Sequence, residues 1–236
     1  MTTIRVIDFE TTGFAVDDKV IELGWCDYDV ETRQIGDPIS ELFHVDAIPP
    51  ESRSIHHIRL SDIPSSAQPF DAFAAVFMPA DTMAITFFAA HNSAFECQFL
   101  GDLEHRRMIC TYKAALRVWP DAPSHSNGAL RYWLEDEGRI SLDAVKAYPT
   151  HRAGPDAYIT AHLLKALFEA GATGKDMVAW TNAPAVLPRC PIGTPWRGMK
   201  WSEVDGGFLE WMANNATMDT DNKWNAQREL DRRYAA

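Results

Sequence analysis

The run Ile4-Arg5-Val6-Ile7-Asp8-Phe9-Glu10-Thr11-Thr12-Gly13 carries a short β-branched segment into two carboxylates spaced i, i+2. In an extended chain both side chains leave the same face, so two anions stand side by side. Such a pair is costly unless a cation sits between the carboxylates or one of them keeps its proton. A strand whose polar face happens to be acidic is the plainer alternative, and the rest of the chain decides between them.

Outward from this stretch, Val20 to Tyr28 and Leu42 to Val45 read as second and third strands joined by short links, which predicts an antiparallel meander on one side of a sheet. Residues 48–68 are rich in Pro and Ser and read as loop with a helical turn or two; the pair His56-His57 reads as a loop or surface feature. Phe70 to Met78 is a short apolar helix, and Ala84 to Ala90 has the length and continuity of a buried strand, so a crossover to parallel pairing follows. That strand runs into His91-Asn92-Ser93-Ala94-Phe95-Glu96, where Ser93 and Glu96 also fit a capping box. Met108 to Cys110 is a further short strand, followed by helices over Tyr112 to Val118 and Ser126 to Glu135. The clearest amphipathic helix spans Ala157 to Ala170, with Pro155 suited to a first helical position and Asp156 complementing the helix dipole.

With 236 residues, 46% of them hydrophobic, the chain suffices for one good core and a small appendage. The formal charge of -11 argues against a surface that coats nucleic acid non-specifically, while leaving open an enzyme that holds nucleic acid at one end through metal ions. Cys26, Cys97, Cys110 and Cys190 form no CxxC pair, which fits reduced thiols and a cytoplasmic location. No leader or membrane-spanning run is legible. Composition changes after Gly174, dividing the chain into residues 1–174 and a linker with a small α+β module over 175–236. There Arg189, Trp196, Arg197, Lys200 and Trp201 interleave bases with aromatics, the pattern either of a small nucleic-acid platform or of a Trp-stapled fold with exposed bases.

Four acids thus stand at the ends of apolar elements: Asp8, Glu10, Glu96 and Asp156, with His151 five residues before the last. In open α/β folds, strand ends and helix starts converge on sites. The segments Asp8-Phe9-Glu10-Thr11-Thr12-Gly13, His91 to Glu96 and His151-Arg152-Ala153-Gly154-Pro155-Asp156 together resemble the three motifs of the DEDDh, DnaQ-like 3'-5' exonucleases. The resemblance covers about Thr3 to Ala170 and is nearest to the exonuclease X-like branch. Trp119 to Ser126 with Leu130 to Leu134, and the tail from Ile192 to Trp211, are similar to segments of that branch. One residue departs from the pattern: the second motif usually ends in Asp, and here it is Glu96, whose extra methylene moves the carboxylate out by roughly 1.5 Å.

The resemblance implies a ribonuclease H-like α/β fold and release of 5'-mononucleotides from nucleic-acid 3' ends, with DNA favoured over RNA and a place in DNA repair. It implies two divalent ions, Mg2+ or Mn2+, held by Asp8, Glu10, Glu96 and Asp156, with His151 as general base toward the attacking water. Thr11, Thr12, Gly13, Phe14, His91, Asn92 and Phe95 become candidate substrate contacts, Phe14 placed to stack on a base or wedge a duplex end. A homodimer is a further implication, since related enzymes are often dimers. The competing readings are an RNA-trimming relative with the same catalytic residues, and a non-catalytic module that binds nucleic-acid ends or a polymerase.

Overall fold

A computed structural model of the chain describes residues 2–15, 17–72, 85–100 and 108–235. Five strands, β1 (Thr3–Thr11), β2 (Val20–Asp29), β3 (Ile39–Leu42), β4 (Ile85–Ala90) and β5 (Met108–Cys110), form one sheet in the order β3-β2-β1-β4-β5. The first three pair antiparallel, whereas β4 pairs parallel with β1 and β5 parallel with β4, the mixed sheet expected of the sequence. Along β1 the period of two sends Ile4 and Val6 to one core and Ile7 and Phe9 to the other. Asp8 and Glu10 continue the Ile4 and Val6 face, so the acids emerge where that face runs out of apolar residues.

That face is covered by the longest helix, α5 (Ala153–Glu169), for which the numbering runs α1 (Pro50–His56), α2 (Ala94–Leu100), α3 (Thr111–Val118) and α4 (Asn127–Asp136) before it. Ala157, Ile159, Leu163, Leu164 and Leu167 of α5 are buried in the same core as Ile4, Val6 and Ala89. Burial of each large aliphatic side chain is worth about 1.5–3 kcal/mol, which makes this packing the main anchor of the helix. Beyond it come α6 (Gly174–Thr181), α7 (Gly206–Asn214) and α8 (Thr220–Tyr234). Cys190, Trp201, Val204, Leu209, Met212, Ala226 and Leu230 form an apolar cluster of their own near the C-terminus. No helix among the described residues is long and apolar enough to cross a membrane.

Several elements differ from their sequence-based expectation. The third strand pairs over Ile39–Leu42 and not over Leu42 to Val45, because Phe43 and Val45 leave the ladder to fill two separate apolar clusters. Helix α5 begins at Ala153, four residues earlier than Ala157. Its first-turn N–H at Ala153 is satisfied from far away in sequence, by the Glu22 carboxylate on β2 at 3.0 Å, so no local cap is needed. Of the helix expected over Phe70 to Met78, the part from residue 73 onward lies outside the described residues, as does Ala84 of the fourth strand.

Gly24 decides how close α5 comes to the sheet. A Cβ at this position would run into the backbone of Ala153 and Gly154, so only glycine lets the first turn of α5 rest on β2. Gly24 is the register partner of Asp8 across β1 and β2. Replacing it, as in Gly24→Ala, pushes the helix terminus off the sheet and is expected to cost about 2 kcal/mol by overpacking. Urea unfolding monitored by far-UV circular dichroism checks this; a midpoint equal to that of the native chain would contradict it.

Candidate active site

Three elements bring the acids together. β1 supplies Asp8 and Glu10 from its α5-facing side, α2 supplies Glu96 from its first turn, and α5 supplies Asp156 from its first turn. Asp8, Glu10 and Asp156 each offer a carboxylate oxygen within 4.8 Å of the others. Glu96 stands outside that tight group but lines the same pocket of about 460 Å³ and acts electrostatically on Asp8. Its Oε2 is buried with no hydrogen-bond partner among the described residues, so a capping-box role does not account for that oxygen.

Electrostatics follow from this crowding. Burial, then the charges of Asp156, Glu10 and Glu96, push the Asp8 carboxyl well above its ordinary range. Burial and the neighbouring Asp156 raise Glu10 to about 8, partly offset by Arg152, and burial raises Glu96 to about 8. Asp156 rises to about 6, again through burial, with His151 opposing the shift. Half-buried carboxylates that repel one another, one with an unspent oxygen, are the hard, all-oxygen donor set that suits Mg2+ or Mn2+.

His151 is exposed at the pocket edge, with its backbone in the left-handed region at φ 57°. That conformation strains a non-glycine residue, and the His151 N–H bond to Asp156 Oδ2 at 3.0 Å holds it. Under these residues lies a feature that no motif announced. Glu22, the cross-strand partner of Glu10, is fully buried and accepts Arg152 Nε at 2.9 Å and Nη2 at 2.7 Å. This bidentate pair fixes the residue between His151 and the start of α5.

Thr11, Gly13, Phe14, His91, Asn92 and Phe95 all line the pocket, whereas Thr12 does not. The Thr12 hydroxyl instead donates to Asp18 at 2.7 Å, and its carbonyl accepts Ser52 Oγ at 2.6 Å, tying the turn after β1 to α1. Phe14 is 77% exposed and meets Phe95 at 5.9 Å between ring centroids, an aromatic lip at the mouth. His91 is held neutral by burial, near 4, with both ring nitrogens engaged: Nε2 donates to the His125 carbonyl at 2.8 Å and Nδ1 meets Thr111 Oγ1 at 3.0 Å.

Sequence reasoning passed over Ser52, Ile55 and His56, which form one further wall of the pocket. Their i, i+3, i+4 spacing on α1 was the available signal. His56 is not the loop or surface residue expected. It is buried, and its Nδ1 accepts the Ile58 N–H at 2.9 Å. The ring proton therefore sits on Nε2, which has no partner among the described residues.

Comparison with known proteins agrees with this geometry. The RNase_T exonuclease family model matches residues 6–164. Among solved structures, exonuclease X in complex with 5' overhanging duplex DNA is similar over 75% of this chain and 99% of that one, at 28% identity and a TM-score of 0.59. A structure of exonuclease I is similar in fold at 17% identity and TM-score 0.56, over 72% of this chain and 41% of that longer one. E. coli exonuclease I in complex with a dT13 oligonucleotide is similar in fold over 70% of this chain and 40% of that one, at 18% identity and TM-score 0.54. No curated protein matches the chain in sequence.

The raised carboxyls make stability depend on pH in a defined direction. Carboxyls that titrate at about 4 when unfolded and at about 8 (Glu10, Glu96) or about 6 (Asp156) when folded bind more protons in the folded state between those values. Stability of the metal-free protein therefore falls as pH rises through that window. Divalent ions compete with the protons, so the rise in Tm on adding Mn2+ or Mg2+ is expected to be small at about pH 5.5 and to grow by about pH 8.5. Thermal melts with EDTA and with each metal check this, and a metal effect that is absent or flat across pH would contradict the site.

Proposed function

Because this chain belongs to the RNase_T exonuclease family, we propose that it is a metal-dependent 3'-5' exonuclease that removes 5'-mononucleotides from DNA 3' ends. The observation that carries the proposal is the convergence of Asp8, Glu10 and Asp156 within 4.8 Å. Glu96 and His151 stand on the same pocket. Mg2+ or Mn2+ ions held by Asp8, Glu10, Glu96 and Asp156 would supply charge neutralisation at the scissile phosphate and a nucleophile at neutral pH.

The remaining parts of the reaction belong to the chain's own side chains. His151, exposed at the rim and fixed through its backbone by Asp156, is placed to take a proton from the attacking water. Asp156 therefore has two tasks, holding the His151 backbone through Oδ2 and contributing a carboxylate oxygen to the acid cluster. Gly13 leaves the turn after β1 without a side chain where the terminal nucleotide has to approach, and a Cβ there would meet the Asp18 carboxylate that organises this turn. Phe14 and Phe95 offer ring faces for the last base. DNA is favoured because the relative at 28% identity is an exonuclease in complex with duplex DNA.

Labelled single-stranded DNA and RNA of one sequence, incubated with Mg2+ and with EDTA, test the reading. Faster mononucleotide release from DNA, abolished by EDTA, is expected. Faster loss of RNA would reverse the substrate assignment, and end binding without release in Mg2+ or Mn2+ would leave a non-catalytic binder. Asp8→Ala is expected to lower turnover by about 10³-fold, the equivalent of several kcal/mol of transition-state stabilisation, with the fold retained. Unchanged turnover in this variant would contradict the assignment of Asp8.

A further inference from the structure

A second cleft, of about 840 Å³, lies between the segment after α3 and the C-terminal cluster. Pro120, Asp121, Pro123 and His125 line one wall, and Arg189, Lys200, Arg228 and Arg232 line the other. Four cations face two carboxylates there, in a chain whose formal charge is -11. One of the carboxylates, Glu229, is already engaged by Arg232 at 2.7 Å and Arg233 at 2.9 Å. Arg189 donates to the Gly198 carbonyl and Arg228 lies over Trp224, but among the described residues neither they nor Lys200 forms an ion pair, and all three are exposed. A partner rich in negative charge is what this wall fits.

The cleft is joined to the catalytic pocket by one stretch of chain. The His125 carbonyl accepts His91 of the catalytic pocket at 2.8 Å while His125 itself lines the cleft. Two residues on, Asn127 Nδ2 donates to the Asp156 carbonyl at 3.3 Å. The segment that carries His125 and Asn127 thus borders both the catalytic pocket and the cleft. Of the aromatic half of the expected Arg and Trp platform, Trp201 alone reaches the wall of the cleft. Trp201 is buried with its Nε1 bonded to the Leu187 carbonyl at 2.7 Å, and Trp196 packs toward Phe208. The cleft thus offers exposed charge and little open ring face, which suits phosphates more than bases.

We propose that this cleft grips the phosphodiester backbone of the same nucleic-acid strand whose 3' end occupies the catalytic pocket, independently of its sequence. The proposal rests on the nuclease reading above for which end is held, and on the cleft's own charge for the grip. The test pairs the native chain with a Lys200→Gln/Arg228→Gln variant. Both side chains are exposed and outside the catalytic pocket. Binding of a fluorescein-labelled 20-nucleotide single strand is read by anisotropy in Ca2+ across a salt series, and turnover is read on the p-nitrophenyl ester of thymidine 5'-monophosphate, too short to reach the cleft.

Loss of two phosphate contacts is expected to weaken oligonucleotide binding about tenfold and to flatten the log–log salt slope by about 1.4. Turnover of the ester stays at the native level, and Lys200→Arg/Arg228→Lys restores the oligonucleotide affinity. Native affinity and slope in the Gln variant, an equal loss on the small ester, or no oligonucleotide binding by the native chain would each overturn the proposal. Native binding without release of any mononucleotide would instead sink the nuclease reading, with the cleft still judged by the anisotropy of the variant.

Discussion

The acid cluster of this chain depends on the first turn of α5 landing on β2 at Gly24. Two contacts hold it there: the close backbone approach that the missing Cβ permits, and the Glu22 carboxylate, which accepts both Arg152 and the Ala153 N–H. A fully buried carboxylate costs several kcal/mol to desolvate and persists only with near-complete hydrogen bonding, which this one has. Because Gly24 pairs with Asp8 and Glu22 with Glu10, the same two rungs of the ladder that carry the acids of β1 also position the helix that brings Asp156. Positioning and chemistry are therefore mechanically linked through four residues of β1 and β2.

The arrangement works against the stability of the metal-free chain. Three carboxylates lie within 4.8 Å with a fourth buried beside them; burial and then repulsion raise Glu10, and burial raises Glu96. Some relief comes from the protein itself, since Asp156 and Glu96 both lie in first turns of helices, where the helix dipole favours negative charge. Arg152 opposes the rise at Glu10, and His151 opposes that at Asp156. What these do not offset is left for cations or protons. Glu96 fits the same balance: its longer side chain starts from a helix outside the tight triad and carries an oxygen with no partner among the described residues into the pocket.

Most of the fold could be read from local patterns because its elements are locally consistent. The alternation in β1 and the apolar run of β4 lie where expected. Asp8, Glu10, Glu96 and Asp156 stood out because their order and local context resemble those of a family. The remainder depended on contacts between distant residues. The cap of α5 comes from Glu22, 131 positions away, so no local rule places the start of the helix at Ala153. Phe43 and Val45 look like strand residues and are spent on packing. His56 looked like a loop histidine because α1 is short, and only the shared face of Ser52, Ile55 and His56 hinted at the pocket wall.

The proposed binding of a polyanion by an acidic protein raises a question of range. At physiological ionic strength, exposed charges more than about 8 Å apart are largely screened, so net charge governs approach from a distance while the field within a cleft governs contact. A charge of -11 is thus compatible with a grip on phosphate if the acids are gathered where cations are held and bases face the path of the strand. Asp8, Glu10, Glu96 and Asp156 are gathered in this way, and Arg189, Lys200 and Arg228 stand apart from them on another wall. Separating the two signs keeps the bases from neutralising the carboxylates proposed to hold metal. On the proposed reading it also sets the limit of tolerance: a base moved among the acids would pair with Asp8 or Glu10 in place of a metal ion, whereas an acid moved into the cleft would only weaken a hold on phosphate.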